Sequence, residues 1–272
     1  MKAGFVFVAL FSLGSALILP VPARADGEIK IITVMDNEVV DPALVSEWGF
    51  AAAVITPQSS VLFDTGPNGK ALLANMEKLG LSPSKFSKVV ISHDHKDHAY
   101  GLKAFVAVNP EALVLVPQKS VLARRYVADA GGQAQEVGGP AEIAPGVRTT
   151  GSTERPPQEQ AMIIDTSDGL VVLTGCAHPG IVVIIERVHA LNPGKPIALA
   201  MGGFHLFETS PQDIDHMVDD LKRIGVTKVA PSHCTGDYAR QRFQQVYGTD
   251  YIAGGVGLSL TFNSPDQTRK RS

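Results

Sequence analysis

The chain has 272 residues, 44% of them hydrophobic and 19% charged, an ordinary globular composition with enough length for a substantial core in one large domain or two small ones. Its formal net charge of -3 supplies no basic surplus for a phosphate backbone, which argues against nucleic acid as a partner. Two cysteines exclude a disulfide-rich scaffold.

The first 25 residues stand apart from that core. Lys2, an apolar stretch from Phe5 to Leu19 and the small-residue step Ala23-Arg24-Ala25 predict a secretory signal peptide cleaved after Ala25. The apolar run falls short of the roughly 20 residues a spanning helix needs, so an uncleaved anchor is the lesser alternative and cleavage leaves no stable membrane insertion. Taking Lys2 and Arg24 from the 24 basic residues leaves 22 against 27 acidic, a net charge of -5 for an exported chain, periplasmic or secreted. One domain is expected over residues 26–262, followed by a polar tail over 263–272.

Short apolar runs then alternate with amphipathic stretches. Ile29 to Met35, Ala51 to Thr56 and Ser60 to Phe63 read as strands, the last two nearly continuous, as buried strands are. Asp64-Thr65-Gly66-Pro67 breaks the pattern, and Lys70 to Leu79 follows as a helix stopped by Gly80. Lys88 to Ser92 is a strand, Leu113 to Val116 another, Gln118 to Tyr126 a helix, and Gly131 to Ala144 a loop-rich stretch with little periodicity. Gln160 to Asp165 and Leu170 to Leu173 pair across Ser167-Asp168-Gly169 as a hairpin. Helices over Ile181 to Leu191 and Pro211 to Ile224 alternate with strands over Pro196 to Met201 and Thr227 to Ala230. With no composition break between the halves, the expected fold is an α/β sandwich of αββα type, two facing sheets with helices outside.

The strand ending at Ser92 delivers His93-Asp94-His95-Lys96-Asp97-His98, three of the eight histidines in six residues. Neutral imidazole and carboxylate are ligands that zinc and similar cations prefer, and a short loop can aim His93 and His95 at one ion while Asp97 and His98 turn toward a second. Partners must come from distant loops. Gly175-Cys176-Ala177-His178, Gly202-Gly203-Phe204-His205 and Ser232-His233 each follow an apolar strand, and strand ends are where α/β layers place their chemistry. His189 and His216 lie inside helices and are read as solvated or capping. Cys176 and Cys234 stand near histidines and are open to three readings: buried thiols lining strand ends, the preferred one, a disulfide, or occasional ligands.

His93-x-His95-x-Asp97-His98 with Asp64-Thr65-Gly66 resembles the signature of the metallo-β-lactamase superfamily. Glu47-Trp48-Gly49-Phe50, Glu159-Gln160-Ala161, Gly175-Cys176-Ala177-His178-Pro179-Gly180-Ile181, Gly202-Gly203-Phe204-His205-Leu206 and Ser232-His233-Cys234-Thr235-Gly236 resemble its dihydropterin-ribofuranosyl-aminobenzene-phosphate synthase-like branch. The resemblance implies that His93, His95 and His178 hold one metal and Asp97, His98 and His233 another, with Asp64 behind a ligand to fix its tautomer. Many members place a bridging aspartate late in the chain. None is evident here; His205 is the candidate replacement, with Cys176 or no bridging side chain as alternatives.

Two divalent ions, zinc by default with manganese or iron also suited, about 3.5 to 4 Å apart can hold a hydroxide between them and clamp the oxygens of a phosphoryl or acyl group. Asp97 would both ligate and steady the nucleophile, and His205 is a proton donor if it is not a ligand. The branch resemblance implies a transferase acting on cytoplasmic intermediates that an exported chain would not meet. Hydrolysis of a small phosphoester, lactone or ester is therefore the expected reaction, a transferase the alternative, and a non-catalytic metal-binding or sensing protein the third. Superfamily membership alone does not set substrate, which argues against β-lactam specifically. Ala99-Tyr100-Gly101-Leu102 departs from the usual Thr-Gly-Gly-Leu, so Tyr100 either narrows the pocket or covers a helix start. Trp48 and Phe50 either line the pocket or pack in the core.

Overall fold

The structure, a computed structural model, describes residues 27–265 together with Met1, so the predicted signal peptide lies outside the described residues. The strands β1 (Glu28–Met35), β2 (Ala51–Ile55), β3 (Ser60–Phe63), β4 (Lys88–Val90), β5 (Leu113–Pro117) and β6 (Gln133–Val137) line up in chain order in one sheet. The strands β7 (Ala141–Ala144), β8 (Val147–Thr149), β9 (Met162–Thr166), β10 (Gly169–Thr174), β11 (Ile197–Gly203) and β12 (Val226–Ser232) form a second, in the order β12-β11-β10-β9-β8-β7. The last strand, β13 (Ser259–Asn263), returns to pair antiparallel with β1 and completes the first sheet.

Side-chain alternation explains the layering. In β10, Val171 and Leu173 face the core between the sheets, while Leu170 and Val172 face the helices behind. In β2, Ala52 and Val54 point inward and Ala51 and Ala53 point out. Both faces are buried, which is why these strands read as unbroken apolar runs rather than as alternating ones.

Outside the first sheet lie α1 (Gly69–Lys78), α2 (Lys96–Ala99), α3 (Leu102–Val108) and α4 (Leu122–Asp129), which contribute Leu72, Met76, Phe105 and Val127 to the outer core. Outside the second lie α5 (Ile181–Leu191), α6 (Pro211–Arg223) and α7 (Asp237–Tyr247), with Ile185, Val218 and Phe243 packed against it. The α6 helix starts as its sequence requires: Ser210 accepts the Asp213 N–H and Pro211 occupies the first turn. The architecture is therefore the expected αββα sandwich. Among the described residues no helix is long and apolar enough to cross a membrane.

Three expectations need correction. The stretch from Gly131 to Ala144 is not only loop; it holds the edge strands β6, whose four exposed residues of five hide the strand period, and β7, which is only four residues long. The helix expected from Gln118 begins only at Leu122. Chain order continues past Phe262, because Asn263 pairs with Glu28 and the Ser264 N–H donates to Gly27 O at 2.8 Å.

The topology fixes where chemistry can sit. The strands β3 and β4 run parallel, as do β10, β11 and β12, so the loops after each set emerge together at the carboxyl ends of their strands.

Candidate metal centre

The loop after β4 carries His93 and His95 and the short α2 that follows carries Asp97 and His98, the loop after β10 carries Cys176 and His178, and the segments after β11 and β12 carry His205 and His233. His93 is the hinge of a first cluster: its Nε2 lies 3.1 Å from His95 Nδ1 and 3.2 Å from His178 Nε2. Burial, reinforced by the neighbouring His98, His178 and His95, holds His93 well below its ordinary pKa. Burial likewise pulls His178 down to about 3 and lowers His95. These rings are therefore neutral at ordinary pH, and a nitrogen of His95 and one of His178 each meet His93 Nε2.

A second cluster abuts the first. Asp97 Oδ2 lies 3.5 Å from His98 Nε2 and 3.4 Å from His233 Nε2, and Cys176 Sγ lies 3.2 Å from His98 Nε2. Burial pushes the Asp97 carboxyl up, but the neighbouring His233 and His98 imidazoles outweigh it and keep the group ionised. Burial also works against a charged His98, yet the adjacent Asp64 carboxylate overrides it and raises the imidazole to about 10. Asp64 sits behind His98, its Oδ2 accepting from Nδ1 at 2.7 Å, while its Oδ1 accepts the Ser92 N–H at 2.6 Å.

The donors fit divalent cations. Ligand bonds of about 2.0–2.3 Å in a tetrahedron place neighbouring donor atoms roughly 3.3–3.8 Å apart; the separations of 3.4 and 3.5 Å in the second cluster match, and Cys176 Sγ stands a little closer to His98 Nε2 at 3.2 Å. His233 Nε2 is buried with no hydrogen-bond partner, an orphan that a cation would satisfy. Backbone strain gathers here too. Asp64, Ala177, His205 and His233 adopt positive φ of 56°, 62°, 51° and 49°, left-handed conformations that cost on the order of 1–3 kcal/mol each and concentrate at functional sites.

The remaining site residues sort by position. His205 is half-buried, its ring 4.2 Å from that of His178 and its Nδ1 unpartnered; it groups with Cys176 and Cys234 rather than between the two clusters. Both cysteines are buried and free. Trp48 is exposed at the rim, 5.1 Å from the His233 ring and edge-on to Phe207 at 5.9 Å, and Phe207 in turn lies 5.3 Å from His205. Phe50 is fully buried against Phe63 and belongs to the core. Tyr100 is exposed and pairs with Tyr126 of α4 at 5.3 Å. His189 reaches the Ile224 carbonyl.

Several supports had no role assigned from sequence. The buried Glu159 accepts the N–H groups of Cys176, Ala177 and His178 at 3.1, 2.7 and 2.7 Å, shaping that loop, while burial pushes its carboxyl up to about 7. Asn37 Oδ1 meets His233 Nδ1 at 3.0 Å, and Asp36 accepts the His233 N–H. Asp94, inside the histidine cluster, turns away to accept the N–H groups of Val121, Leu122 and Ala123 and so caps α4. Polar residues directly after β1 and the Glu159-Gln160 pair before β9 were the available signals.

Gly175 is required by close approach: a Cβ there would run into the Ser92 hydroxyl and lie 3.0 Å from Asp64 Oδ2. Gly175→Ala is expected to lower stability by about 1–3 kcal/mol, read as a lower urea midpoint, and to weaken metal retention by displacing Asp64.

Comparison with known proteins agrees with this geometry. The family model of the metallo-beta-lactamase superfamily matches residues 49–218. The chain is 25% identical over 248 residues, 74% of this chain and 84% of the other, to 7,8-dihydropterin-6-methyl-4-(beta-D-ribofuranosyl)-aminobenzene-5'-phosphate synthase of Methanocaldococcus jannaschii. It superposes on a solved metal-dependent hydrolase of the beta-lactamase superfamily with a TM-score of 0.73 and 28% identity, covering 85% of this chain and 98% of that one. The metallo-beta-lactamase fold protein YhfI of Bacillus subtilis, 13% identical with a TM-score of 0.63 over 86% and 99% of the two chains, shares the fold. On strand order, histidine motif and family match together, the chain belongs to the metallo-beta-lactamase superfamily.

Proposed function

We propose that this protein is an exported hydrolase that uses two divalent cations on a small phosphoester, lactone or ester. The observation that carries the reading is the meeting of two donor clusters that share a wall, one built on His93, His95 and His178 and the other on Asp97, His98 and His233. Those residues would hold the cations, with zinc favoured by so many imidazoles and manganese or iron also compatible. A bound pair supplies Lewis acidity that activates water near neutral pH and polarises a phosphoryl or acyl oxygen.

The chain's own groups do the rest. Asp97 directs Oδ2 at His98 and His233, which leaves its Oδ1 to accept a hydrogen bond from the attacking water. His205, half-buried with its ring 4.2 Å from that of His178, would give a proton to the leaving group. Asp64, Asn37 and Glu159 orient His98, His233 and the His178 loop. The transferase reading is favoured by one observation, the relative named as a synthase.

Metal analysis of the purified chain, followed by a panel of phosphoesters, lactones and esters with and without chelator, separates the readings. Chelator-sensitive hydrolysis supports the proposal. Metal with condensation of paired substrates supports the synthase type, and metal without turnover a binding protein. Export is read by N-terminal sequencing of chain recovered outside the cytoplasm, where a start at Asp26 is expected.

Trp48 and Phe207 form an exposed aromatic wall beside His233 and His205, suited to a flat apolar part of the substrate. Trp48→Ala is expected to raise KM for aryl-bearing substrates about tenfold, with kcat little changed and alkyl analogues unaffected.

A further inference from the structure

Cys176 lies two residues beyond the end of β10, buried, with its Sγ 3.2 Å from His98 Nε2. Among the described residues it is the one side chain that joins both clusters. It groups with Asp97, His98 and His233, and separately with His93 and His178, the donor atoms of each group all lying within 4.8 Å of one another. We infer that Cys176, as a thiolate, is the ligand shared by the two cations. The assignment rests on the two-cation reading above and goes beyond it by naming the group between them.

The carboxylates that could compete are committed elsewhere. Asp64 is spent on Ser92 and His98, and Glu159 on three backbone N–H groups. Asp36 Oδ1 serves the Glu38 and His233 backbone, and although its Oδ2 is buried without a partner, Asp36 belongs to neither donor group. Asp213, Asp215, Asp219 and Asp220 all belong to α6 and its exposed ion pairs or cap. His205 stands with the cysteines and is absent from both clusters. A thiolate sulfur has the lone pairs to bind two cations at once, and it is a ligand that zinc accepts.

The proton balance is simple. Cys176 loses its thiol proton to solvent as the sulfur–metal bonds form, with no change of oxidation state. Cys234, whose Sγ reaches the Cys176 carbonyl at 3.8 Å, is buried alongside but belongs to neither cluster, which makes it the internal control.

The test loads the purified full chain with cobalt(II) and records the near-ultraviolet sulfur-to-cobalt charge-transfer band together with cobalt bound per chain. The expected result is a band that persists in Cys234→Ser, vanishes in Cys176→Ser, and stays absent in Cys176→Asp although that variant binds two cobalt ions. Circular dichroism of each variant separates loss of the ligand from loss of fold, and Cys176→Asp supplies a carboxylate of similar size should Cys176→Ser not fold. Two bound cobalt ions in the unaltered chain without the band would overturn the assignment while sparing the two-cation reading, as would a band that survives in Cys176→Asp. Failure to bind cobalt at all would remove both.

Discussion

His95→Ala is expected to strip the cation from the first cluster and, with it, nearly all turnover, while leaving the fold intact. The reason is the division of labour around His93. Its Nε2 faces His95 Nδ1 at 3.1 Å and His178 Nε2 at 3.2 Å, so removal of His95 takes one of the two nitrogens that meet it and opens the site to water. His95 is the exposed member of the set, and truncating an exposed side chain changes stability by no more than about 0.5 kcal/mol. Its loss therefore reads out in metal and rate, not in folding. A cation contributes several kcal/mol to transition-state charge stabilisation, so a fall in kcat/KM of roughly a thousandfold, about 4 kcal/mol, is expected. Metal per chain, kcat/KM and the urea midpoint measured on one preparation decide it. Retention of both metal and turnover by the variant would show that the histidine cluster is not the working site.

The histidine cluster was legible because its donors are nearly contiguous and stand at a strand end, where local sequence already dictates their neighbourhood. The strands that carry it were legible for the same reason that they are buried: two covered faces leave continuous apolar runs. Edge position erases that signal, and β6, with four exposed residues of five, reads as loop. The supports of the site were not legible because their partners are far away in the chain. Asn37 and His233 are 196 positions apart, and nothing near either announces the other.

Cys176 and His205 show a further limit. Each stands two residues past its strand, so spacing could not rank them as the shared residue. Left-handed backbone at Ala177 and at His205, held by tertiary packing, sets how each loop turns. The sulfur faces both clusters, while the imidazole lies against His178. Asp94 is the converse case: a residue inside the metal motif whose carboxylate is used entirely to hold the start of α4.

Asp64→Asn is the second large effect, and it acts on both clusters without touching either cation. The carboxylate accepts the Ser92 N–H through Oδ1 and both the Ser92 hydroxyl and His98 Nδ1 through Oδ2. With its hydrogen given to Asp64, the Ser92 oxygen is left to accept from His93 Nδ1 at 2.9 Å. One buried carboxylate thus sets the tautomer of two imidazoles, one in each cluster, and leaves both Nε2 atoms free to face ligand positions. An asparagine offers a single acceptor oxygen, and its amide must point a donor at another donor whichever way it turns. The relay to His93 weakens together with the direct bond to His98, so metal affinity is expected to fall about 10- to 100-fold, with part of the metal still bound at saturating concentration. Because the mispaired groups are fully buried, stability should fall as well, by about 1–3 kcal/mol. Ser92→Ala divides the two routes: it cuts the relay to His93 and keeps the bond to His98, so its metal loss should be confined to the first cluster. Equal loss from both clusters in Ser92→Ala would mean that the serine acts through the shape of the loop and not through its hydroxyl.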